Sequence, residues 1–579
     1  MAYIRMLREL WRYAGKARWQ VVLYAVMHAS SHIATLLKPL VFAQILNSVQ
    51  RHRSMVMDEL TTWLLAWVGL TLWFNLFHRF AQRFVFSVAY RARQAFLNEH
   101  YQIVVGLPLK WHSDHHSGDT IHRIDSAANA LHGFAVNQFR WVTYFMLFWG
   151  PIVSLYLLSW QVATLVFVVA LLNIFVMREF DRRLVKLYRA AHQVKHKFSA
   201  VLFDYISNVK TIVTLRLGRR TATELDRKIE DGYAIEMKSE TEVNQWKWLS
   251  VSLGVVVLEV AAIYAYVRSQ LDAGVPLMAG SVAAVFQYVN QLGGTYTDVA
   301  RDYQHVIGWS TAFDASAPIR EARAQSRTVT NAPSRSWEHV QIDGLDFAHQ
   351  NDAQALSGVD LTFSRGEKIA LVGESGSGKS SLLCVLRGLY EPDRVQVRLD
   401  GKSVSTLMLL FDTTSLVPQE PEIFEHTIRY NVTVGLDYTE AEVLQAIALA
   451  RFDRVLSQLP NGLDTDVRER GVTLSGGERQ RLALARGILA AHQSSIVLLD
   501  ESTSSVDPQN EVAIYDNLLS HFAQQTVIAA THRLHMLARF DRVVVMDAGR
   551  VVQTGTFEEL RGTPGKFAHL WRGYSDAVA

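Results

Sequence analysis

The stretch Gly373-Glu374-Ser375-Gly376-Ser377-Gly378-Lys379-Ser380 reads as a phosphate-binding loop. Its glycines leave backbone N–H groups free to wrap a chain of phosphates. Lys379 reaches the β- and γ-phosphates, and the Ser380 hydroxyl can ligate Mg²⁺. The apolar run Ile369-Ala370-Leu371-Val372 precedes the loop, and helical sequence follows from Lys379. Strand, loop and helix in that order are the context a phosphate loop requires, because the helix N-terminus then faces the anion. Alone, this establishes a nucleoside-triphosphate-binding α/β domain.

Further along, Ile496-Val497-Leu498-Leu499 is a second buried strand, ending in Asp500-Glu501. Asp500 suits a carboxylate that holds Mg²⁺, often through water. Glu501, beside it, can polarise an attacking water as general base. Between the two strands lies Leu474-Ser475-Gly476-Gly477-Glu478-Arg479-Gln480-Arg481. This is the signature of ATP-binding cassette (ABC) ATPases, and the chain closely resembles that family from about His339 to its C-terminus. The resemblance implies that ATP is bound and hydrolysed with Mg²⁺.

The resemblance assigns further roles. Val417-Pro418-Gln419 through Phe424 is similar to the family's Q-loop, which implies that Gln419 touches Mg²⁺ or the lytic water. Thr531-His532-Arg533, after the strand Thr526–Ala530, resembles the switch-histidine segment. His532 would then bond the γ-phosphate and hold Glu501 and water in line. Ser504-Ser505-Val506-Asp507 resembles the D-loop, which in the family crosses a dimer interface. Aligning Leu345-Asp346-Phe347-Ala348-His349 with the adenine-stacking segment puts His349 where the family generally carries an aromatic, with Phe347 a packed strand residue. The implied ATP-binding set is His349, Gly373, Glu374, Ser375, Gly376, Ser377, Gly378, Lys379, Ser380, Ser381, Gln419, Ser475, Gly476, Gly477, Glu478 and Asp507. Ser380, Gln419 and Asp500 surround the metal. In the family the signature acts on the nucleotide of a second cassette packed head to tail. One cassette per chain therefore implies a dimer, with a homodimer expected and a heterodimer as the alternative. Departures from the family pattern are Glu478 for Gln, Arg468 for Gly and Ser502 for Ala, and none removes a catalytic group. Residues 465–471 resemble an exporter-specific loop before the signature.

Before residue 310 the sequence changes character. Apolar stretches near Trp19–Leu46, Leu60–Val88, Phe139–Leu158, Gln161–Val176, Leu249–Val267 and Leu277–Leu292 are each long enough, or nearly so, to cross a bilayer as a helix. The turn between the third and fourth is very short, around Ser159-Trp160. Basic residues such as Arg178, Arg182, Arg183, Lys186, Arg219 and Arg220 crowd the sequence after the fourth span and mark a cytoplasmic face. Hydrophobic residues make up 49% and charged residues 20% of 579, an ordinary average over a membrane part and a soluble part. The net charge of +3 gives no reason to expect a nucleic-acid partner. The single cysteine, Cys384, excludes an internal disulfide and reads as a small apolar residue on the helix after the loop. No cleavable signal peptide is legible at the N-terminus.

Six spans followed by one cassette resemble an exporter-type (type IV) ABC half-transporter. Leu107–His112, with Ser117–Asp125, is similar to the family's first intracellular loop, and Asn208–Arg216 to the second; both carry coupling helices there. The expected fold class is multi-domain: an all-α six-helix transmembrane domain (1–314), a linker (315–337), and an α/β P-loop NTPase cassette (338–579) with a RecA-like core and a helical signature subdomain. The implied function is ATP-driven export or flipping of a hydrophobic or amphipathic substrate, whether lipid, glycolipid, peptide or drug-like, by alternating access. The alternatives are an importer on the same fold, as in siderophore uptake, and one half of a heterodimeric transporter. Soluble cassette ATPases of translation or DNA repair are excluded by the spans. The expected partners are a second half-transporter chain, the lipid bilayer and a small amphipathic substrate, and the expected location is a bacterial inner membrane with the cassette cytoplasmic. Within the spans, His28 and His32 at i, i+4, with His78, Arg79 and Arg83, are candidates to line a cavity for polar or anionic amphiphiles. The competing reading places Arg79 and Arg83 at the inner membrane edge or paired with carboxylates. A His pair can bind metal, but without nearby carboxylates or thiols metal export is disfavoured.

Overall fold

The computed structural model describes residues 2–51, 56–115, 117–238, 241, 243, 245–325, 337–349, 354–404, 407–411, 413–467 and 474–578. It divides into two units: residues 1–107 with 114–326, and residues 108–113 with 327–579.

The described residues of the first unit form helices joined by short turns and extended links. Helices Arg18–Arg51, Val56–Val105, Phe139–Leu158, Trp160–Ser207, Gln245–Asp272 and Ala279–Asp314 contain the six expected spans. Val56–Val105 and Trp160–Ser207 are 50 and 48 residues long. At about 1.5 Å per residue that is roughly 70–75 Å, more than twice a hydrocarbon core of about 30 Å, so both helices extend well beyond a bilayer. The third and fourth spans are joined by Ser159 alone, in extended conformation, as expected. Among the described residues, five helical stretches are long and apolar enough to cross a membrane, and Ala279–Asp314 is not one of them. Gln287, Asn290 and Gln291 dilute its apolar character, while Tyr288, Val289 and Leu292 are buried in the bundle. The expected sixth span starts two residues late, because Leu277 lies outside the helix.

Packing between the first and last spans rests on a close approach. A Cβ on Gly280 would sit 2.0 Å from the Ala43 carbonyl, so only glycine fits there. Asn47 Oδ1 accepts from Gly280 N at 3.0 Å and Gln50 Oε1 from Ala279 N at 2.8 Å, satisfying donors at the start of the last helix. Deeper in the unit, buried Asp302 accepts from Arg140 Nη1 at 3.1 Å and from the Tyr144 hydroxyl at 2.5 Å. A buried carboxylate needs such partners.

The titratable groups of the first two spans separate. His28 is fully buried, stacked on Phe139 at 4.3 Å and edge-on to His78 at 5.0 Å. His32 Nε2 meets Thr143 Oγ1 at 2.7 Å. Arg79 and Arg83 are exposed, with Arg83 over the Phe80 ring. The histidines thus belong to the packing of one protomer rather than to an open face. Of the segment 315–337, read as a linker, Ala317–Gln325 is a helix with Ile319 buried. Residues 326–336 lie outside the described residues, and Trp337 is buried in the cassette core.

The second unit holds the short helix Leu109–Asp114 through Ser113 and the cassette. Among its described residues the cassette has ten strands: β1 His339–Ala348, β2 Gln354–Ser364, β3 Lys368–Val372, β4 Arg394–Leu399, β5 Lys402–Val404, β6 Thr414–Val417, β7 Ile496–Asp500, β8 Thr526–Ala530, β9 Arg542–Asp547 and β10 Arg550–Gly555. One sheet has the order β2-β1-β4-β5 and is antiparallel. The other has the order β10-β9-β3-β8-β7-β6, parallel except for β10. β3, β7 and β8 are buried along their whole length, in keeping with the apolar runs Ile369–Val372, Ile496–Leu499 and Val527–Ala530 that make up most of them. Helices Ile428–Thr433, Glu440–Leu449, Asp453–Gln458 and Gly476–Ala490 form the helical subdomain.

Candidate active site

Strand order places the site. β8 lies between β3 and β7, all three parallel, with Leu371 opposite Ala530 and Ala530 opposite Asp500. The segments after them, Gly373 onward, Thr531-His532 and Glu501, therefore leave the sheet at one edge. This is the carboxyl end of the strands, where open α/β sheets bind ligands.

The phosphate loop has a backbone that glycine alone accommodates without strain. Gly373 has φ +157°, and a Cβ there would lie 2.3 Å from the Met546 carbonyl. Gly378 has φ +100° and begins the helix Lys379–Arg387. Lys379 is almost fully buried, and its Nζ donates to the Gly373 and Glu374 carbonyls at 2.9 and 3.0 Å, which curls it over the loop. Burial holds its ammonium below the ordinary lysine range, against the pull of Glu501 and Asp500. Ser380 Oγ donates to Asp500 Oδ1 at 2.9 Å. Burial pushes the Asp500 carboxyl up, and the Ser380 hydrogen bond partly offsets it. A divalent cation would relieve that cost. Hydroxyl and carboxylate are the oxygen donors Mg²⁺ takes, so the residues fit this ion.

Glu501 has φ +41°, a left-handed conformation rare for a non-glycine residue. Its Oε1 lies 2.5 Å from His532 Nε2. Its Oε2 accepts from Gln419 Nε2 at 3.1 Å. Three residues from distant parts of the sequence thus meet at one carboxylate. Ser504 N donates to the Glu501 carbonyl at 3.0 Å, closing the turn that carries it.

His349 Nε2 lies 3.3 Å from Ser381 Oγ, beside the helix that follows the phosphate loop. Phe347 is buried and stacked on Tyr390 at 5.2 Å, with His349 edge-on to Tyr390 at 5.7 Å. Glu374 pairs with Lys566 at 2.9 Å, a partner near the C-terminus that local motifs do not reveal. Ser375 and Gly376 are exposed on the loop, whereas Ser377 is buried within it.

The signature residues form their own structure. Ser475 caps the helix Gly476–Ala490 through a capping box: Ser475 Oγ accepts from Glu478 N, and Ser475 N donates to Glu478 Oε2 at 2.7 Å. Glu478, where the family usually has Gln, performs the reach-back this motif needs. Ser475 and Gly476 are exposed. Gly477 packs on the D-loop of its own chain; a Cβ there would lie 2.8 Å from the Ser505 carbonyl. Asp507 caps Pro508–His521, accepting from Asn510 N at 3.1 Å. Its carboxyl sits below the usual carboxylate range because Asn510 donates to it. Arg468 and most of the expected exporter-specific loop lie outside the described residues.

Sequence reading missed several side chains that brace these segments. Gln480, Arg486 and Arg533 are the clearest. Arg486 Nη1 donates to the Glu422 carbonyl at 2.8 Å, Nε to that of Asn431 at 2.6 Å, and its guanidinium lies over Phe424. Gln480 and Arg533 stand inside quoted motifs and Arg486 shortly after one, but nothing local in the sequence marks the contacts they make.

Comparison with known proteins agrees with this geometry. Residues 21–295 match the family described as "ABC transporter transmembrane region", and residues 356–504 match "ABC transporter". The chain is 26% identical to the β-(1→2)glucan export ATP-binding/permease protein NdvA of Agrobacterium fabrum, over 97% of this chain and 95% of that one. Over 43% of its length it is 38% identical to the mycobactin import ATP-binding/permease protein IrtB of Mycobacterium tuberculosis, covering 45% of that protein. Its fold matches the structure of a bacterial Atm1-family ABC exporter with ATP bound, with a TM-score of 0.83, 23% identity and coverage of 96% and 99%. The chain belongs to the ABC transporters: it is a membrane-embedded half-transporter of exporter-type fold that binds ATP and couples its hydrolysis to transport.

Proposed function

We propose that two copies of this chain form a homodimer that exports or flips an amphipathic substrate across a bacterial inner membrane. The observation that carries this reading is the completeness of the catalytic set. One chain carries Lys379 curled over the phosphate loop, Ser380 bonded to Asp500, and Gln419 and His532 both in contact with Glu501. The same chain presents Ser475 and Gly476, exposed at a helix N-terminus suited to an anion. Two copies packed head to tail would own two full sites, with no need of a different partner.

In the mechanism, Lys379 and the loop N–H groups hold the phosphates, and Ser380 and Asp500 would hold Mg²⁺. The ion would neutralise charge on the phosphates. Glu501 takes a proton from water as it attacks the γ-phosphate. His532 and Gln419 fix that carboxylate, and His532 donates to the γ-phosphate. Ser475 and Gly476 of the opposing chain close the site. ATP then favours the closed dimer and hydrolysis the open one, so the membrane halves alternate their access.

The amphipathic class rests on the apolar, aromatic-rich character of the spans, and the outward direction on likeness to a glucan exporter over 97% of this chain. Likeness to a mycobactin importer is confined to less than half of the chain. It therefore bears less on direction than a match over both units. Uptake of labelled lipid, glycan and peptide probes into inverted vesicles tests the reading. ATP-dependent accumulation of one class, lost in Glu501→Gln, supports export; accumulation only in right-side-out vesicles with internal ATP supports import.

A further inference from the structure

We propose that Gln480 is a positioning residue that relays the state of the signature motif to the general base of its own chain. This rests on the roles proposed above for Glu501 and Ser475. Gln480 lies one turn into the helix Gly476–Ala490 and is 3% exposed. Its carboxamide is engaged at both ends. Oε1 accepts from Ser505 N at 2.7 Å, while Nε2 donates to Ser504 Oγ at 3.1 Å and to the Glu501 carbonyl at 3.3 Å. The Gln419 carbonyl lies at 3.5 Å. One side chain thus touches the backbone of the general base, the D-loop and the Q-loop. A backbone N–H on one side and a carbonyl on the other fix which end is oxygen, so no other residue type reproduces the set.

The turn it grips needs holding. Glu501 is in left-handed conformation, and such a backbone persists only where its surroundings over-determine it. Two tethers do so. Gln480 holds one side, from the signature helix. Arg533, next to His532, holds the other: Nη2 donates to the Ser504 and Val506 carbonyls at 3.3 and 3.4 Å, and Nη1 pairs with buried Glu511 at 3.2 Å. Gly477 rests directly on the Ser505 carbonyl, so the signature backbone and the D-loop are in contact without an intervening side chain. A helix is rigid over one turn. When a nucleotide held by the opposing chain settles on Ser475-Gly476-Gly477, the same displacement moves Gln480, and Gln480 moves the Glu501 turn. Each ATP would then set the geometry of the base at the other site.

The test uses the full chain in nanodiscs as wild type, Gln480→Met and Gln480→Glu. Met keeps the length and removes all the hydrogen bonds. Glu keeps the bond from Ser505 N and turns a negative oxygen on the Glu501 carbonyl. Amide hydrogen exchange is followed with and without ATP in peptides covering 373–381 and 501–507, beside steady-state kinetics. In the wild type ATP is expected to slow exchange in both peptides. In Q480M protection of 373–381 persists, protection of 501–507 is lost, and kcat falls about tenfold with KM within about twofold. Q480E is expected to be at least as impaired, which a space-filling role would not produce. Equal protection of 501–507 in Q480M and wild type, no protection there in wild type, or a loss of ATP affinity matching the loss of kcat overturns the proposal. A wild type as inactive as Glu501→Gln would instead count against the self-sufficient homodimer, while the exchange data still decide the role of Gln480.

Discussion

Glu501 Oε1 and His532 Nε2 lie 2.5 Å apart because β7 and β8 are parallel neighbours with Asp500 opposite Ala530. The residues that follow the two strands emerge side by side. The proposed base and the group proposed to orient it are thereby fixed by sheet register rather than by a flexible loop. His532→Ala removes the orienting partner and leaves the phosphate loop untouched. We expect kcat to fall about 10²- to 10³-fold with KM changed less than about threefold, measured by phosphate release.

As the proposed adenine platform, His349 is expected to be weaker than an aromatic phenol would be. His349 reaches Ser381 at 3.3 Å, so its ring stands beside the helix that follows the phosphate loop. His349→Ala is expected to raise the KM for ATP about tenfold, the scale of one base–aromatic stack. His349→Tyr is expected to lower it, through the larger ring. Equilibrium binding of a fluorescent ATP analogue reads both.

Cys384 provides a pH test of the loop helix. Burial pushes its thiol up to about 11. A raised value means less thiolate at any given pH. The alkylation rate of the native chain is therefore expected to keep climbing from pH 9 to 10, whereas in the urea-unfolded chain it levels off above the ordinary thiol range. Labelling followed by intact mass spectrometry gives both profiles.

Lys368 begins β3 and is nearly buried. Its Nζ donates to the carbonyls of Gly366, Phe522, Ala523 and Gln525 at 2.9, 2.8, 3.3 and 2.5 Å. Lys368→Met takes a charged donor from these carbonyls, of which Phe522 keeps a second donor in Gln525 N at 3.0 Å. We expect a loss of about 2–3 kcal/mol, read as a lower cassette transition in calorimetry, with kcat near wild type at 20 °C.

These examples show what a linear reading reaches. The phosphate loop, Asp500-Glu501 and the signature are legible because each is a local device whose backbone chemistry demands particular residues in particular order. The long helices are legible because hydropathy is a sum over many residues. Gln480, Arg533 and Lys566 are not, because their partners lie far away in sequence and only the fold brings them together. His28 and His32 looked like candidates for a cavity, yet stacking on Phe139 and contact with Thr143 bury them, and periodicity cannot show which face a neighbouring helix covers. The helix Ala317–Gln325 escaped notice because nine residues are too few to display an apolar stripe.

The measurement that tests the central claim most directly is ATP hydrolysis by the purified chain in nanodiscs, wild type beside Glu501→Gln, with and without Mg²⁺ and across lipids, glycans and peptides. The account predicts Mg²⁺-dependent hydrolysis that one compound class stimulates, and a fall of about 10²- to 10⁴-fold in the variant with ATP binding retained. A wild type as silent as the variant under every condition would contradict a catalytically complete homodimer.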